Sequence, residues 1–126
     1  MPITTITDVR CIGVTVADQD TALTFYLDVL GFEKRLDAPI GPTARWVEVA
    51  PPGARTSIAL TAAAPGVTGT TDTGIRFTVP DATAEHAALQ HRGAAVGELL
   101  EWDGVPPMFT VDDADGNRFY VVQDAS

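Results

Sequence analysis

Apolar and polar positions alternate along Val9 to Val16, with Ile12, Val14 and Val16 on one side and Cys11, Gly13 and Thr15 on the other. A period of two predicts a strand with one face on a core. The period then changes. Leu23, Tyr26, Leu27 and Leu30 recur at three- and four-residue spacing, behind Asp18 and Asp20 and ahead of Gly31. That is an apolar helical stripe with N-cap side chains at one end and a residue suited to a left-handed C-cap at the other. Phe32 to Leu36 predicts a second strand, and the Pro- and Gly-bearing stretch Asp37 to Thr43 a loop. Strands follow at Arg45 to Val49 and, past the Pro51-Pro52-Gly53 turn, at Ser57 to Thr61. Residues 62–73 are rich in Ala, Gly and Thr and predict a linker.

The order then returns. Gly74 to Val79 alternates, Ala82 to Arg92 reads as a helix, and Val96 to Trp102, Met108 to Asp112 and Arg118 to Gln123 predict three strands. Asp115-Gly116-Asn117 is a turn signal between the last two. Even the wording repeats: CIGVTVAD (Cys11 to Asp18) and GIRFTVPD (Gly74 to Asp81) begin 63 positions apart. Each runs into a helix that stops at a glycine, Gly31 or Gly93. The reading is α+β, with two tandem βαβββ modules forming a cup-shaped mixed β-sheet and the helices outside. The modules span about residues 6–62 and 74–124 of a single domain covering 1–126, joined by a linker at about 63–73. Two half-sheets side by side make a cup, and a cup is a place for a ligand.

Composition narrows the partners. With 126 residues, 45% hydrophobic and 20% charged, the chain can bury an ordinary globular core. Its net charge of −9 repels phosphate backbones and anionic membranes, so neither nucleic acid nor a membrane is an expected partner. The same charge favours cationic or neutral ligands, or serves solubility alone. Cys11 is the single cysteine, so neither an intrachain disulfide nor a Cys-cluster metal site is open to it. No basic-then-apolar leader opens the sequence, and no apolar run approaches the roughly 20 residues of a membrane span. The expected location is cytoplasmic.

Two stretches carry a resemblance. VTVADQDTALTFYLDVLGFE (Val14 to Glu33) and DADGNRFYVV (Asp113 to Val122) resemble the opening and closing words of the vicinal oxygen chelate superfamily. That group includes glyoxalase I, extradiol dioxygenases and bleomycin-resistance proteins. The resemblance implies the paired-module fold, and it places the family's metal-ligand positions at Cys11, Ser57, Gly74 and Tyr120. None of these is His, Asp or Glu, and a divalent ion needs several such donors on one point. The histidines, His86 and His91, fall on the second predicted helix, roughly 140° apart around it, and read as solvated residues outside the cup. No metal and no cofactor are therefore expected.

Alternation gives the cup lining. Cys11, Thr15, Ser57, Arg76, Thr78, Arg118 and Tyr120 share the predicted face, and Trp46, Glu48, Trp102 and Met108 join it. These are the candidate ligand contacts. Each has a plainer reading. Cys11 is a nucleophile without a histidine to activate it, or a small buried hydrophobe. Tyr120 is a hydrogen-bond donor or general acid, or a sheet aromatic satisfied locally. Arg76 clamps a ligand oxygen, or pairs with Glu48 across the cup. Arg118 follows a turn and reads as a rim residue. Trp46 and Trp102 stack on a ligand, or fill a core or interface. If the protein is an enzyme, Tyr120, Arg76 and Glu48 are the candidates for proton transfer and charge stabilisation.

Three functions follow. The first is a metal-independent binder of a drug or metabolite, of the bleomycin-resistance type. The second is a metal-independent lyase or isomerase acting on a small carbonyl compound. The third, with least room in these residues, is a divalent-metal glyoxalase or dioxygenase. Exposed strand edges and tryptophans predict a homodimer.

Overall fold

A computed structural model describes residues 3–64 and 71–124. The first half runs β1 (Cys11–Val16), α1 (Gln19–Thr24), β2 (Glu33–Ile40), β3 (Ala44–Ala50) and β4 (Ser57–Ala62). The second runs β5 (Asp72–Val79), α2 (Ala82–His91), β6 (Ala95–Val96), β7 (Met108–Asp112) and β8 (Arg118–Gln123). The strands form two four-stranded sheets of matching order, β1-β4-β3-β2 and β5-β8-β7-β6. Each sheet is mixed: β1 is parallel to β4 and β5 to β8, and the other ladders are antiparallel. The predicted α+β pair of βαβββ modules is the observed architecture.

Local chemistry explains the elements. Asp18 caps α1 by accepting from the backbone N–H groups of Asp20 and Thr21, and Asp81 caps α2 through that of Ala84. Gln19 reaches the other way, donating Nε2 to the carbonyls of Arg45 and Leu60 and tying α1 to the first sheet. The α1 helix then widens into a π-turn over Phe25–Val29, ending at Gly31 with φ +76°. The second strand outruns the expected loop: Asp37 to Ile40 pair with Val47 to Ala44, and Gly41 to Thr43 make the turn. Pro39 is tolerated because β2 is an edge strand.

The predicted strand at Val96 to Trp102 shrinks to β6 and an isolated bridge from Leu100 to Met108. Gly97 lies so close to Thr110 Oγ1 that a side chain there would collide with it. The predicted linker narrows as β4 runs to Ala62 and β5 starts at Asp72; its middle, residues 65–70, lies outside the described residues.

One core serves both halves. Val14, Val16, Val47, Val49 and Leu60 from the first sheet and Phe109, Val111, Phe119 and Val121 from the second are buried in one cluster. Ile12, by contrast, remains 38% exposed. An aromatic chain crosses between the halves: the ring of Tyr26 meets Phe119 edge-on at 6.1 Å, Phe119 stacks on Phe77 at 5.1 Å, and Phe77 meets Phe32 edge-on at 5.3 Å. Such pairs contribute about 0.5–1.5 kcal/mol each beyond burial. The closing turn of the second half also docks on the first. Tyr26 donates to Asp113 Oδ2 at 2.7 Å, Asn117 Nδ2 donates to the Thr15 carbonyl at 2.9 Å, and Asp115 Oδ1 accepts from the N–H of Ala17 at 3.0 Å. Among the described residues no helix is long and apolar enough to cross a membrane.

Candidate functional site

Register fixes which side chains share the face turned away from the helices. In the first sheet Cys11 lies beside Ser57, Thr15 beside Thr61, Glu48 beside Ala59, and Trp46 beside Ala38. In the second, Arg76 and Thr110 flank Tyr120, while Thr78 and Met108 flank Val122. Arg118 lies beside Asp112. Ten of the eleven candidate contacts thus stand on these two open faces. The other, Trp102, does not: it is 61% exposed in the turn between β6 and β7, because the strand meant to carry it stops early.

On the first sheet the polar groups satisfy one another. Glu48 is 4% exposed, yet both of its oxygens are occupied. Oε1 accepts from Ser57 Oγ at 2.6 Å; Oε2 accepts from Trp46 Nε1 at 2.7 Å and from Arg10 at 3.2 Å. The Ser57 hydroxyl first, then the Trp46 indole and Arg10, hold its carboxyl below the usual range against the upward push of burial. The pairing of Arg76 with Glu48 is thus replaced by one with Arg10, which the alternation of Val9 to Val16 put on the apolar side but which precedes β1.

The second sheet is arranged differently. Asp72 Oδ2 accepts from Tyr120 OH at 2.6 Å, and Oδ1 accepts from the N–H of Gly74 at 3.1 Å. Gly74 adopts φ +70°, a left-handed backbone that only glycine takes without strain, and this lets β5 bulge between Asp72 and Arg76. The bond to Asp72 raises the Tyr120 phenol above its ordinary range, and the bond from Tyr120 lowers the Asp72 carboxyl. Arg118 makes a two-point contact with Asp112 at 2.9 and 3.2 Å. Arg76 donates Nη1 to the Gly74 carbonyl at 2.8 Å, and its guanidinium carbon lies 4.6 Å from the centre of the Tyr120 ring.

Between the edge strands β1 and β5 runs a cleft of about 180 Å³, lined by Gly13, Thr15, Asp72, Thr73 and Asn117 among others. Sequence reasoning missed Asp72, which it placed in the linker, and Asn117, which it read only as a turn residue. Periodicity marks neither, because each faces its partners from beyond a strand's regular alternation.

The positions at which the resemblance places a metal do not suit one. Gly74 has no donor side chain, Ser57 gives its proton to Glu48, and Tyr120 gives its own to Asp72. No three His, Cys, Asp or Glu side chains converge among the described residues. His86 is not a solvated helix residue: its Nε2 is 2.8 Å from the Gly97 carbonyl oxygen and its ring meets Phe109 edge-on at 5.0 Å. His91 is exposed, as expected.

Known proteins share this build. TnmS3, an antibiotic binding protein from Streptomyces sp. CB03234, is 32% identical, with 98% of this chain and 100% of that one covered at a TM-score of 0.84. A member of the Glyoxalase/bleomycin resistance protein/dioxygenase superfamily from Sphaerobacter thermophilus DSM 20745 is also 32% identical, covering 96% of this chain and 100% of its own at a TM-score of 0.89. The uncharacterized protein YetH of Bacillus subtilis (strain 168) is 40% identical over 55 residues, 44% of this chain and 46% of that protein. The match thus spans about half the length of this curated relative. The superfamily's own sequence profile fits residues 9–121, from the segment before β1 into β8. With its paired modules, shared core and repeated strand order, the chain belongs to the Glyoxalase/Bleomycin resistance protein/Dioxygenase superfamily.

Proposed function

We propose that this protein binds a small organic molecule, a drug or metabolite, on the open faces of its two sheets and does so without a metal ion. The observation that carries the reading is the state of the family's metal positions: Ser57 and Tyr120 are already hydrogen-bonded within the protein, Gly74 has no donor side chain, and Cys11 is left as a lone thiol. The similarity to an antibiotic binding protein over nearly the whole chain supports the same class. Aromatic surface from Trp46 and Tyr120 with a few polar handles is the usual make-up of a small-molecule site.

The molecule acts as a homodimer in the cytoplasm. Ile3, Ile6 and Val9, in the segment before β1, are 93%, 80% and 57% exposed, apolar surface that a second copy would cover. The lone thiol suits a reducing compartment. A native mass spectrum of protein purified without chelators tests the reading. It should show a metal-free dimer, with an organic mass retained where the ligand survives purification. One divalent ion per chain would overturn it.

A second reading rests on the 2.6 Å contact between Tyr120 and Asp72: a proton-transfer pair for a metal-independent lyase or isomerase. On that reading Tyr120→Phe abolishes turnover of an enolisable substrate. On the binding reading the ligand stays bound, with affinity lowered only as far as the freed Asp72 oxygen competes for Arg76.

A further inference from the structure

The chain has 8 lysine and arginine side chains against 17 acidic ones. Among the described residues, every lysine and arginine but one lies within 4.0 Å of a carboxylate oxygen. The exception is Arg76, exposed on the open face of the second sheet. In so acidic a molecule a cation without a carboxylate partner stands apart, and the groups around it explain the difference. Asp72, the acidic group whose charge reaches Arg76, has one oxygen on the N–H of Gly74 and the other on the Tyr120 hydroxyl. Arg118, the other arginine of this face, is taken by Asp112.

The geometry also says which part of Arg76 is open. Its Nη1 is spent on the Gly74 carbonyl, and the Tyr120 ring covers one side of the guanidinium at 4.6 Å. What remains is the edge formed by Nε and Nη2, two parallel N–H donors at the spacing of a carboxylate's oxygens. The Tyr120 ring limits hydration from one side, which strengthens a contact with an anion. Thr78, two residues on from Arg76, and Thr110, on the far side of Tyr120, leave the face polar.

We infer that the ligand presents a planar, delocalised oxyanion, a carboxylate or an ionised keto-enol, and that Arg76 takes it through the Nε–Nη2 edge. This rests on the binding reading above and gives its ligand a chemical class. It also runs against what net charge alone suggests: the charge of −9 repels an anion at long range, and one unpaired arginine supplies the local attraction.

Two probes of equal shape test it, naphthoate and its neutral amide, naphthamide, titrated into the full chain and followed by ligand fluorescence. Naphthoate is expected to bind about tenfold more tightly than naphthamide. Arg76→Gln should bring the two affinities together, and Arg76→Lys, which keeps the charge and loses the fork, should leave an intermediate ratio. Arg55→Gln makes the same change in net charge on a side chain paired with Asp8 before β4, and should keep the full ratio. Superimposable circular dichroism melts of wild type and Arg76→Gln show that the variant is folded. Equal affinities in the wild type, or a preference that survives Arg76→Gln, overturn the oxyanion assignment while leaving a small-molecule binder. Failure of both probes to bind overturns the assignment and the binding reading together.

Discussion

The two sheets share one topology and differ in what their open faces do with charge. On the first, a carboxylate at 4% exposure collects a serine, a tryptophan and an arginine, and the face closes on itself. On the second, the acidic groups are drawn aside by Tyr120, Gly74 and Arg118, and one guanidinium is left facing outward. A repeated module thus supplies two different surfaces. The first is spent on stability. The second keeps a cation with no carboxylate partner beside an aromatic ring.

Breaking the closed face should do most damage. Glu48→Ala strands the Ser57 hydroxyl and the Trp46 indole N–H in a buried setting and should cost about 2–3 kcal/mol, read from urea denaturation. Cutting the tie between the halves comes next. Tyr26→Phe removes the buried bond to Asp113 and should cost about 1–2 kcal/mol in the same measurement. Burial first, and then the charge of Asp113, push the Tyr26 phenol far above its ordinary 10.0. The unfolded phenol ionises as pH rises past that value and the folded one does not. Wild-type stability therefore falls on the alkaline side of pH 10, and Tyr26→Phe should flatten that slope.

Acid sharpens the contrast between the faces. The Glu48 carboxyl is depressed below its ordinary 4.5, so its contribution is present above that pH and lost as pH falls through the folded value. Glu48→Gln should be less stable than wild type at neutral pH and lose less on acidification, in paired denaturation curves. The smallest effect is expected on the open face. Arg76→Ala breaks no carboxylate contact and should leave the melting temperature within about 3 °C of wild type. A large drop there would mean that the guanidinium is structural.

Most of the fold could be read from periodicity, because strands with one buried face must alternate and α1 must stripe. The limits of β7 and β8 match the expected spans residue for residue. The misses have local causes. At Asp37 to Ile40, proline suggested a loop where an edge strand tolerates it. Past Gly97, whose N–H still donates to the Thr110 carbonyl, three residue steps to Leu100 face two from Thr110 to Met108, and this irregularity interrupts a strand that hydrophobicity alone would carry to Trp102. The face residues were legible for the same reason as the strands, since register follows alternation. Their pairing was not. Glu48 meets Arg10 from 38 positions away and Tyr120 meets Asp72 from 48, and no local pattern encodes either contact. His86 was misjudged for a related reason: helical position predicted solvent, and the short β6 segment brings the Gly97 carbonyl to it.

The most direct measurement is a proton–nitrogen correlation spectrum of the labelled protein titrated with naphthoate. The largest backbone shifts are expected on β5 and β8 around Arg76, Thr78 and Tyr120, with the Arg76 Nε resonance among them and smaller shifts at the Trp46 indole. Shifts confined to the first sheet, or centred on the helices, would contradict the placement of the ligand's oxyanion on Arg76.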